Sequence, residues 1–351
     1  MGDAFGGRGG ISQYNRDFLG AVAKSGMNVL VLPRNAPDPY FIPNNIRQTR
    51  PQKGKLRYSV YALQTALRSR VDVVFCGHLF MASLAAIIAR VKGARLVIQM
   101  HGIEAWPRPK AHQRRAVESA DLVLSVSRYT RTTVLSWAAI TPERVVVLPN
   151  TVRKEFMPGE ALKMRAALGM EGKRVLLTVA RMDSRQPYKG QDRVIRIMPH
   201  LVAMGHDVHY LVAGEGDDQP RLEGLACEEG VRERVHFLGP VPLRELPDVY
   251  RAADLYVMAS HGEGFGIAFL EAMVSGTQVL GLDIAGAKDV LADGELGFCV
   301  PDSNLVDAVH QALMSPEPDP KTVACAAQSR FGREKFEAGV RSALNRLQLT
   351  A

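Results

Sequence analysis

Two carboxylates eight positions apart, Glu263 and Glu271, flank a glycine-containing loop that opens a predicted helix. The loop consists of Gly264, Phe265, Gly266 and Ile267. A helix N-terminus offers unpaired backbone N–H groups and a positive dipole, which suit a diphosphate or the edge of a sugar. Glu263 would accept hydrogen bonds from sugar hydroxyls, and Glu271 would accept them from a ribose diol. A capped helix with a solvated glutamate is the alternative, but the doubled carboxylate favours a ligand site.

Two cations follow an earlier strand-like run. Arg181 comes just after residues 174–179, and Lys189 opens the next predicted helix. In an open α/β sheet, strand ends and the helix starts that follow them point into one crevice. Two cations there would neutralise a departing diphosphate. Either residue alone would be interpreted as a surface charge, and it is their joint placement before the glutamate pair that favours a binding role.

A histidine marks the end of a strand in the first half. His101 directly follows the run 95–100, where it would hydrogen-bond a sugar hydroxyl or a developing charge. A lone histidine is often structural, so the residues alone leave both interpretations open. His78, after the run 71–76, is a weaker candidate of the same kind.

No His-x-His or Asp-x-Asp pattern that would hold a divalent metal on a diphosphate occurs in the sequence. Asp217 and Asp218 lie together at the start of a predicted helix and are interpreted as an N-cap. We therefore expect neither a metal nor another cofactor.

The elements that position these residues alternate between strand and helix. Apolar β-rich runs lie at 29–32, 71–76, 95–100, 122–126, 145–148, 174–179, 208–212, 235–238, 255–258 and 279–282. Helical patterns between them indicate βαβ units and parallel sheets, so the fold class is α/β. We expect two domains, one over 1–150 and one over 151–330, followed by a terminal helix over 331–351.

The start of the chain departs from a complete domain of this type. A glycine-rich turn at residues 5–10 precedes a helix, yet only four residues stand before it. The strand that feeds such a turn is central in a doubly wound sheet. We therefore expect the first strand of this domain to be missing and the natural reading frame to begin upstream. The proline-rich segment 33–55 is predicted to be a long loop.

Composition limits the class of protein. The chain has 351 residues, and its longest apolar run is too short to span a bilayer. Four scattered cysteines are interpreted as buried thiols of a reducing compartment. Residues 1–150 carry 21 Lys and Arg against 8 Asp and Glu, whereas the rest carries 23 against 28. The basic residues of the first half are clustered at Arg47, Arg50, Lys53, Lys55 and Arg57, and at Arg108, Lys110, Arg114 and Arg115. The clustering favours an anionic partner over a merely solvated basic face.

Together these motifs resemble those of the family 4 retaining glycosyltransferases, of bacterial polysaccharide-biosynthesis type. The resemblance covers nearly the whole chain and is strongest from Arg181 to Glu271, where the glutamate pair matches the E-x7-E motif of the family. It implies the GT-B fold of two facing Rossmann-like domains, with the acceptor-side domain over 1–150 and the nucleotide-sugar-binding domain over 151–330. It also implies that the terminal helix over 331–351 packs back toward the first domain. Arg181 and Lys189 would bind the diphosphate and Glu271 the ribose, while Val241 would meet the base. Arg8 within the glycine turn, and Asp289 in place of a frequent glutamate, depart from the pattern.

The same resemblance implies roles for the remaining candidates. Glu263 and the amides of residues 264–267 would hold the transferred sugar, which His101 would contact as well. Gly9 and Gly10 would line the acceptor side. The expected reaction is metal-independent, and the departing phosphate helps to deprotonate the acceptor. A covalent role for Glu263 is the outside alternative.

The expected donor is a nucleotide diphosphate sugar, either GDP-mannose or a UDP-hexose, and the acceptor is a saccharide or a lipid-linked glycan. An anionic membrane surface is the expected partner of a cytoplasmic protein that sits peripherally on the inner face of the plasma membrane, and no nucleic acid is expected. A sugar phosphorylase or a non-catalytic sugar-nucleotide binder on the same fold stays open. A Rossmann oxidoreductase is a remote alternative, because no acidic residue follows the glycine turn at the required spacing.

Overall fold

The computed structural model describes residues 1–7, 9–35, 42–185 and 189–347. The chain forms two compact units. The first comprises Met1–Thr151 together with the segment that starts at Arg333, and the second comprises Val152–Gly332.

The first unit contains two parallel sheets. Its strands are β1 (Val29–Val31), β2 (Ile46–Gln48), β3 (Val73–Cys76), β4 (Arg95–Met100), β5 (Leu122–Ser125) and β6 (Val145–Val147). β1 pairs with β2 alone, and the four others form a sheet in the order β3-β4-β5-β6. Its helices are α1 (Gly10–Lys24), α2 (Lys55–Arg68), α3 (Ala82–Lys92), α4 (Ala111–Glu118) and α5 (Arg128–Trp137). β5 is buried along its whole length, as expected for a parallel strand covered by helices on both faces.

The second unit is built on one six-stranded parallel sheet. Its strands are β7 (Arg174–Val179), β8 (Val208–Ala213), β9 (Val235–Gly239), β10 (Leu255–Met258), β11 (Gln278–Leu282) and β12 (Phe298–Val300), in the order β12-β11-β10-β7-β8-β9. Its helices are α6 (Leu162–Ala167), α7 (Gln191–Ala203), α8 (Gln219–Glu228), α9 (Leu246–Arg251), α10 (Ile267–Val274), α11 (Ala285–Val290), α12 (Leu305–Met314) and α13 (Pro320–Phe331).

The chain returns to the first unit through its terminal helix α14 (Arg333–Asn345). This helix packs against α1. The Nη2 atom of Arg333 donates to Oδ1 of Asp17 at 3.0 Å, and Lys24 pairs with Glu337 at 2.6 Å. Its buried side chains Phe336, Val340 and Leu344 supply the apolar contacts on which such a helix depends.

The predicted strand runs agree with the observed strands, but the predicted loop at 33–55 is wrong in part. Ile46 is buried and lies opposite Val29, so a strand occurs where the prolines indicated none. Residues 36–41 of that loop, like Arg8, lie outside the described residues. The interpretation of all four cysteines as buried is also wrong, since Cys227 and Cys325 are exposed.

Within the described residues, no helix combines the length and the apolar character needed to cross a membrane.

Candidate functional site

The second-unit sheet reverses its direction of growth at β7. The chain goes from β7 outward to β8 and β9, and later returns to place β10 on the other side of β7. Ligands of open α/β sheets bind at such a switch point, beyond the carboxyl ends of the strands. Arg181 and Lys189 follow β7, whereas Glu263 and Glu271 follow β10, so the sheet order brings the two predicted motifs to one edge.

Lys189 and Glu263 form an ion pair at the start of this site. Nζ of Lys189 lies 2.7 Å from Oε1 of Glu263, and the carboxylate is buried. The next residue, Gly190, lets the chain come this close to the end of β10. A Cβ at that position would overlap the carbonyl of Ala259, just beyond β10. A buried carboxylate costs free energy unless a cation or hydrogen-bond donors compensate its charge. The pair thus places one positive and one negative group side by side.

The glycine loop ends where helix α10 begins. Gly266 is the N-cap residue with φ of 95°, a left-handed conformation that favours glycine, and Ile267 is the first residue of the helix. Phe265 is buried with its ring 5.3 Å from that of Phe331, which anchors the loop. The amide of Gly286 donates to the carbonyl of Glu263 at 2.9 Å and fixes the other end. The helix N-terminus therefore has a rigid position.

Glu271 lies within α10 and is buried, with only 8% of the residue exposed. Its Oε2 atom accepts a hydrogen bond of 3.0 Å from the hydroxyl of Tyr250 in α9. Burial raises the pKa of Glu271 to about 7, while the Tyr250 hydrogen bond and the charge of Arg153 oppose that rise. A carboxylate with this restricted solvation binds hydroxyl donors well, because little water competes for it.

The two remaining donor-side candidates are less enclosed. The side chain of Arg181 is exposed just beyond β7, and its backbone carbonyl accepts a hydrogen bond of 3.2 Å from Nε2 of Gln191. Val241 is half-buried in the loop that follows β9. Both residues lie at the carboxyl edge of the sheet.

In the first unit, His101 lies just beyond β4. Its Nε2 atom is 3.0 Å from the carbonyl oxygen of Gly77, which can only accept, so Nε2 carries the proton. The backbone amide of His101 donates to Oε1 of Glu104 at 2.6 Å. Burial lowers the pKa of His101, and the negative charge of Glu104 partly offsets this effect. The imidazole is consequently neutral at pH 7.

The other first-unit candidates are His78, Gly9 and Gly10. Nδ1 of His78 accepts a hydrogen bond of 3.3 Å from the amide of Phe80 and caps a short 3-10 turn. Gly9 is the N-cap residue of α1, and Gly10 begins that helix; both residues are exposed.

Among the described residues, no group of three or more His, Cys, Asp and Glu side chains is arranged to hold a metal ion. Asp218 is the N-cap residue of α8, as expected from the sequence, but its side chain makes no capping hydrogen bond. Asp217 accepts hydrogen bonds from the amide and hydroxyl of Ser184, and Asp218 pairs with Arg221 at 2.6 Å. Asp217 thus links its loop to the loop that follows β7, and Asp218 pairs within the start of α8.

Sequence reasoning missed Tyr250 and Arg153 as neighbours of Glu271. Tyr250 is 21 positions before Glu271 on a separate helix, and Arg153 lies in the segment that opens the second unit. Neither belongs to a spacing pattern, so only the tertiary structure brings them to the carboxylate.

Comparison with known proteins places both units in one family. A profile described as "Glycosyl transferases group 1" matches residues 161–330, and one described as "Glycosyltransferase Family 4" matches residues 8–156. A GDP-mannose-dependent alpha-(1-6)-phosphatidylinositol monomannoside mannosyltransferase of Mycolicibacterium smegmatis is 31% identical over 268 residues, which are 72% of this chain and 69% of that protein.

A second relative and a solved structure extend the comparison. A D-inositol 3-phosphate glycosyltransferase of Nocardia farcinica is 32% identical over 241 residues, which are 66% of this chain but only 51% of that protein. The crystal structure of Anabaena HepE in complex with UDP-glucose superimposes with a TM-score of 0.77 at 21% identity, and the match covers 98% of this chain and 99% of HepE. The fold is the GT-B fold predicted from the motifs. The chain belongs to the family 4 glycosyltransferases.

Proposed function

We propose that the protein transfers a hexose of mannose or glucose type from a nucleotide diphosphate sugar to a lipid-linked or polysaccharide acceptor, with retention of anomeric configuration and without a metal. The observation that carries this proposal is the buried pairing of Lys189 with Glu263 at the start of α10. It supplies a cation for phosphate oxygens directly beside an acceptor for sugar hydroxyls. Glu271 supplies a second buried acceptor on the same helix.

The roles follow from the chemistry of each group. Lys189 and Arg181 bind the diphosphate, whose negative charge grows as the sugar departs. Glu271 accepts hydrogen bonds from the ribose diol, and Val241 contacts the base. Glu263 and the N-terminal amides of α10 hold the sugar, since a helix N-terminus and a buried carboxylate complement hydroxyl groups and phosphate oxygens.

The bond changes need no protein nucleophile. The bond between the anomeric carbon and the phosphate oxygen breaks, and the acceptor oxygen attacks the same face of the sugar. The departing phosphate takes the acceptor proton, so that charge and protons balance within the donor and acceptor. The protein contributes position and charge stabilisation, and Lys189 and Arg181 act most strongly once the phosphate carries its full charge.

The neutral His101 has a place in this scheme as an acceptor: with the proton on Nε2, its Nδ1 can accept a hydrogen bond from a hydroxyl of the transferred sugar. Its ring orientation is fixed by the Gly77 carbonyl and by the edge-to-face contact with Tyr14 at 5.3 Å. A neutral imidazole that is held in one orientation discriminates among hydroxyl positions without adding a charge.

Two nucleotide bases stay open for the donor. The mycobacterial relative is named for GDP-mannose, and the Anabaena structure is described with UDP-glucose. We therefore propose GDP-mannose or a UDP-hexose.

A peripheral position on an anionic membrane fits the surface of the first unit. Leu56 and Leu67 of α2 are 80% and 63% exposed, and exposed Lys53, Lys55 and Arg57 lie beside Leu56. Exposed apolar side chains next to cations are the combination that lies stably at a lipid headgroup boundary. We propose that the protein works in the cytoplasm on the inner face of the plasma membrane, where a lipid-linked acceptor would be presented.

A screen of nucleotide sugars tests this function. A ligand that binds only the native state raises the melting temperature, so GDP-mannose or one UDP-hexose should stabilise the protein more than nucleoside monophosphates do. The sugar of the stabilising nucleotide sugar should then be transferred in excess EDTA. The product should keep the anomeric configuration of the donor. Stabilisation without turnover on any glycolipid acceptor would indicate a binder, and turnover that requires free phosphate would indicate a phosphorylase. Loss of turnover in EDTA that magnesium restores would contradict metal independence.

A further inference from the structure

Arg34 is a half-buried cation of the first unit with an unsatisfied donor. It follows β1 by three residues, at the carboxyl end of that strand. Its Nε atom is buried and has no hydrogen-bond partner among the residues that the structure describes. A buried donor without a partner costs free energy, and the cost is larger when the group is charged. An anion that bound there would remove part of this cost.

The surrounding chain holds Arg34 in place. Its amide donates to the carbonyls of Met1 and Gly2 at 3.1 and 2.9 Å. Burial raises the pKa of the Tyr58 hydroxyl, and the positive charge of Arg34 opposes that rise, so the guanidinium acts on this side chain. The Tyr58 hydroxyl in turn donates to the carbonyl of Leu32 at 3.0 Å. Arg34 therefore belongs to an ordered corner of the unit and not to a free surface.

A second arginine lies at the same end of the strand pair, because the pairing of β1 with β2 continues past both strands. The amide of Thr49, just past β2, donates to the carbonyl of Val31 at 3.0 Å. The amide of Gln52 donates to the carbonyl of Pro33 at 3.3 Å. Arg50 lies between these two contacts and is exposed. Two arginines thus mark the carboxyl ends of two neighbouring strands.

The glycine turn before α1 is bonded to this strand pair as well. The side chain of Gln48, the last residue of β2, donates to the carbonyl of Phe5 at 2.8 Å and accepts from the Phe5 amide at 3.2 Å. The turn contains Gly9, the N-cap residue of α1, and the helix begins without a side-chain cap. The positive N-terminal dipole of α1 adds to the charge of the two arginines.

We propose that Arg34 and Arg50 bind a phosphate or diphosphate group of the acceptor. Arginine suits this ligand because its planar guanidinium donates two parallel hydrogen bonds to phosphate oxygens. The 21 basic residues against 8 acidic ones in residues 1–150 favour an anionic ligand on this unit. The inference rests on the proposed sugar transfer and selects among its acceptors. A saccharide linked to lipid through phosphate satisfies Arg34, whereas a neutral polysaccharide leaves its donor without a partner.

Titration calorimetry with inorganic pyrophosphate tests the site. The protein is first saturated with GDP or UDP, so that Lys189 and Arg181, the cations proposed for the donor diphosphate, are already occupied. Pyrophosphate should still bind to the parent, and Arg34→Gln and Arg50→Gln should each weaken this binding by about tenfold. Arg34→Lys keeps the charge without the planar fork and should lose less. Arg90→Gln removes an exposed cation from the last turn of α3 and should change nothing.

Absence of pyrophosphate binding to the saturated parent would overturn the proposal, and so would equal losses in Arg90→Gln and in the two test variants. Variants that keep their affinity for pyrophosphate but lose binding to anionic vesicles would also overturn it, because the arginines would then contact a membrane surface. Because Arg50 is exposed, a loss of pyrophosphate binding in Arg50→Gln at an unchanged melting temperature would support the site without a contribution from unfolding.

Failure of this proposal and failure of the proposed function give different results. Sugar transfer to a neutral glycan that neither pyrophosphate nor the two variants affect would overturn the acceptor class and leave the transfer reaction intact. Pyrophosphate binding that depends on both arginines, in a protein that transfers no sugar, would support the anion site and contradict the proposed transfer.

Discussion

The hydroxyl of Tyr250 donates a hydrogen bond of 3.0 Å to Oε2 of Glu271, and both side chains are buried. Tyr250 is held in turn by Thr277, whose hydroxyl donates to the Tyr250 carbonyl at 2.7 Å, and by its ring contact with Phe156. A neutral hydroxyl thus donates to the carboxylate, whose ionised form the charge of Arg153 also favours. Burial raises the pKa of Glu271 to about 7, so its charge changes within the physiological range.

Nucleotide affinity should therefore depend on pH through Glu271. The ionised carboxylate accepts hydrogen bonds from both ribose hydroxyls. Nucleotide affinity should therefore rise from pH 6 to pH 8, by at most about tenfold per pH unit below the titration midpoint of Glu271, and level off above that midpoint. Tyr250→Phe removes a donor that stabilises the ionised form, so the midpoint should move upward by about one pH unit.

Titration calorimetry with the nucleoside diphosphate across this range measures both curves. Tyr210→Phe is the matched control, because Tyr210 is also buried in the second unit and its hydroxyl donates to Thr178 at 2.7 Å rather than to Glu271. Arg153 and Tyr256 also act on this pair and remain unchanged in both variants. Identical midpoints for the Tyr250 and Tyr210 variants would contradict a role for the hydrogen bond.

Lys189→Met should weaken binding of the nucleoside diphosphate by about tenfold or more, because a hydrogen bond to a charged group is lost. Binding of the free nucleoside should hardly change. Glu263→Gln should leave diphosphate affinity within about threefold and lower sugar transfer instead, and the double variant shows how far the two residues are coupled.

Arg196→Met serves as the control for this pair, since it breaks a surface ion pair with Glu229 in the same unit. A Lys189 variant that loses nucleoside and diphosphate binding to the same extent would show that the lysine only maintains the loop.

His101→Ala should lower kcat by about tenfold or more and leave the dissociation constant of the nucleoside diphosphate unchanged, because the imidazole would act on the sugar alone. Steady-state kinetics and calorimetry separate the two effects. His112→Ala removes an exposed first-unit histidine that hydrogen-bonds to Ser83 and should change neither quantity. If His101→Ala lowers the melting temperature and nucleotide affinity together, the role of His101 is structural.

Charge reversal of Lys53, Lys55 and Arg57 to glutamate should release the protein from vesicles that contain anionic lipid. Binding of the parent should itself fall as salt rises, because attraction between surface charges is screened over about 8 Å at physiological ionic strength. The control reverses three exposed cations of the second unit, Arg196, Arg244 and Lys321. Co-sedimentation with the vesicles measures the binding of both variants. Equal losses of binding would indicate that the protein binds through its overall charge and not through this surface.

The strands of the second unit were predictable because each is a continuous apolar run of strand length. β7 and β10 have the predicted bounds, and both are buried between helices. β2 was not predictable, since three residues with one buried isoleucine give no pattern, and the pairing of Ile46 with Val29 is a tertiary event. Local sequence determines a strand only where the run is long enough to be apolar on both faces.

The site was predictable as residue types but not as a set of contacts. Lys189 and Glu263 were each placed after the correct strand, yet their ion pair depends on β7 and β10 being neighbours in the sheet. The raised pKa of Glu271 arises from its burial in the folded protein, and the Tyr250 hydrogen bond that opposes this rise comes from a separate helix, so no spacing in the sequence predicts either effect.

We expect Glu271 to bind the ribose of the nucleotide diphosphate sugar. Whichever of GDP and UDP binds more tightly is titrated into the parent and into Glu271→Ala, alongside its 2′,3′-dideoxy analogue. In the parent, loss of the two hydroxyls should weaken binding by about tenfold, whereas the variant should bind both nucleotides equally. If the analogue is weakened by the same factor in parent and variant, Glu271 does not contact the ribose, and the account of the donor site is wrong.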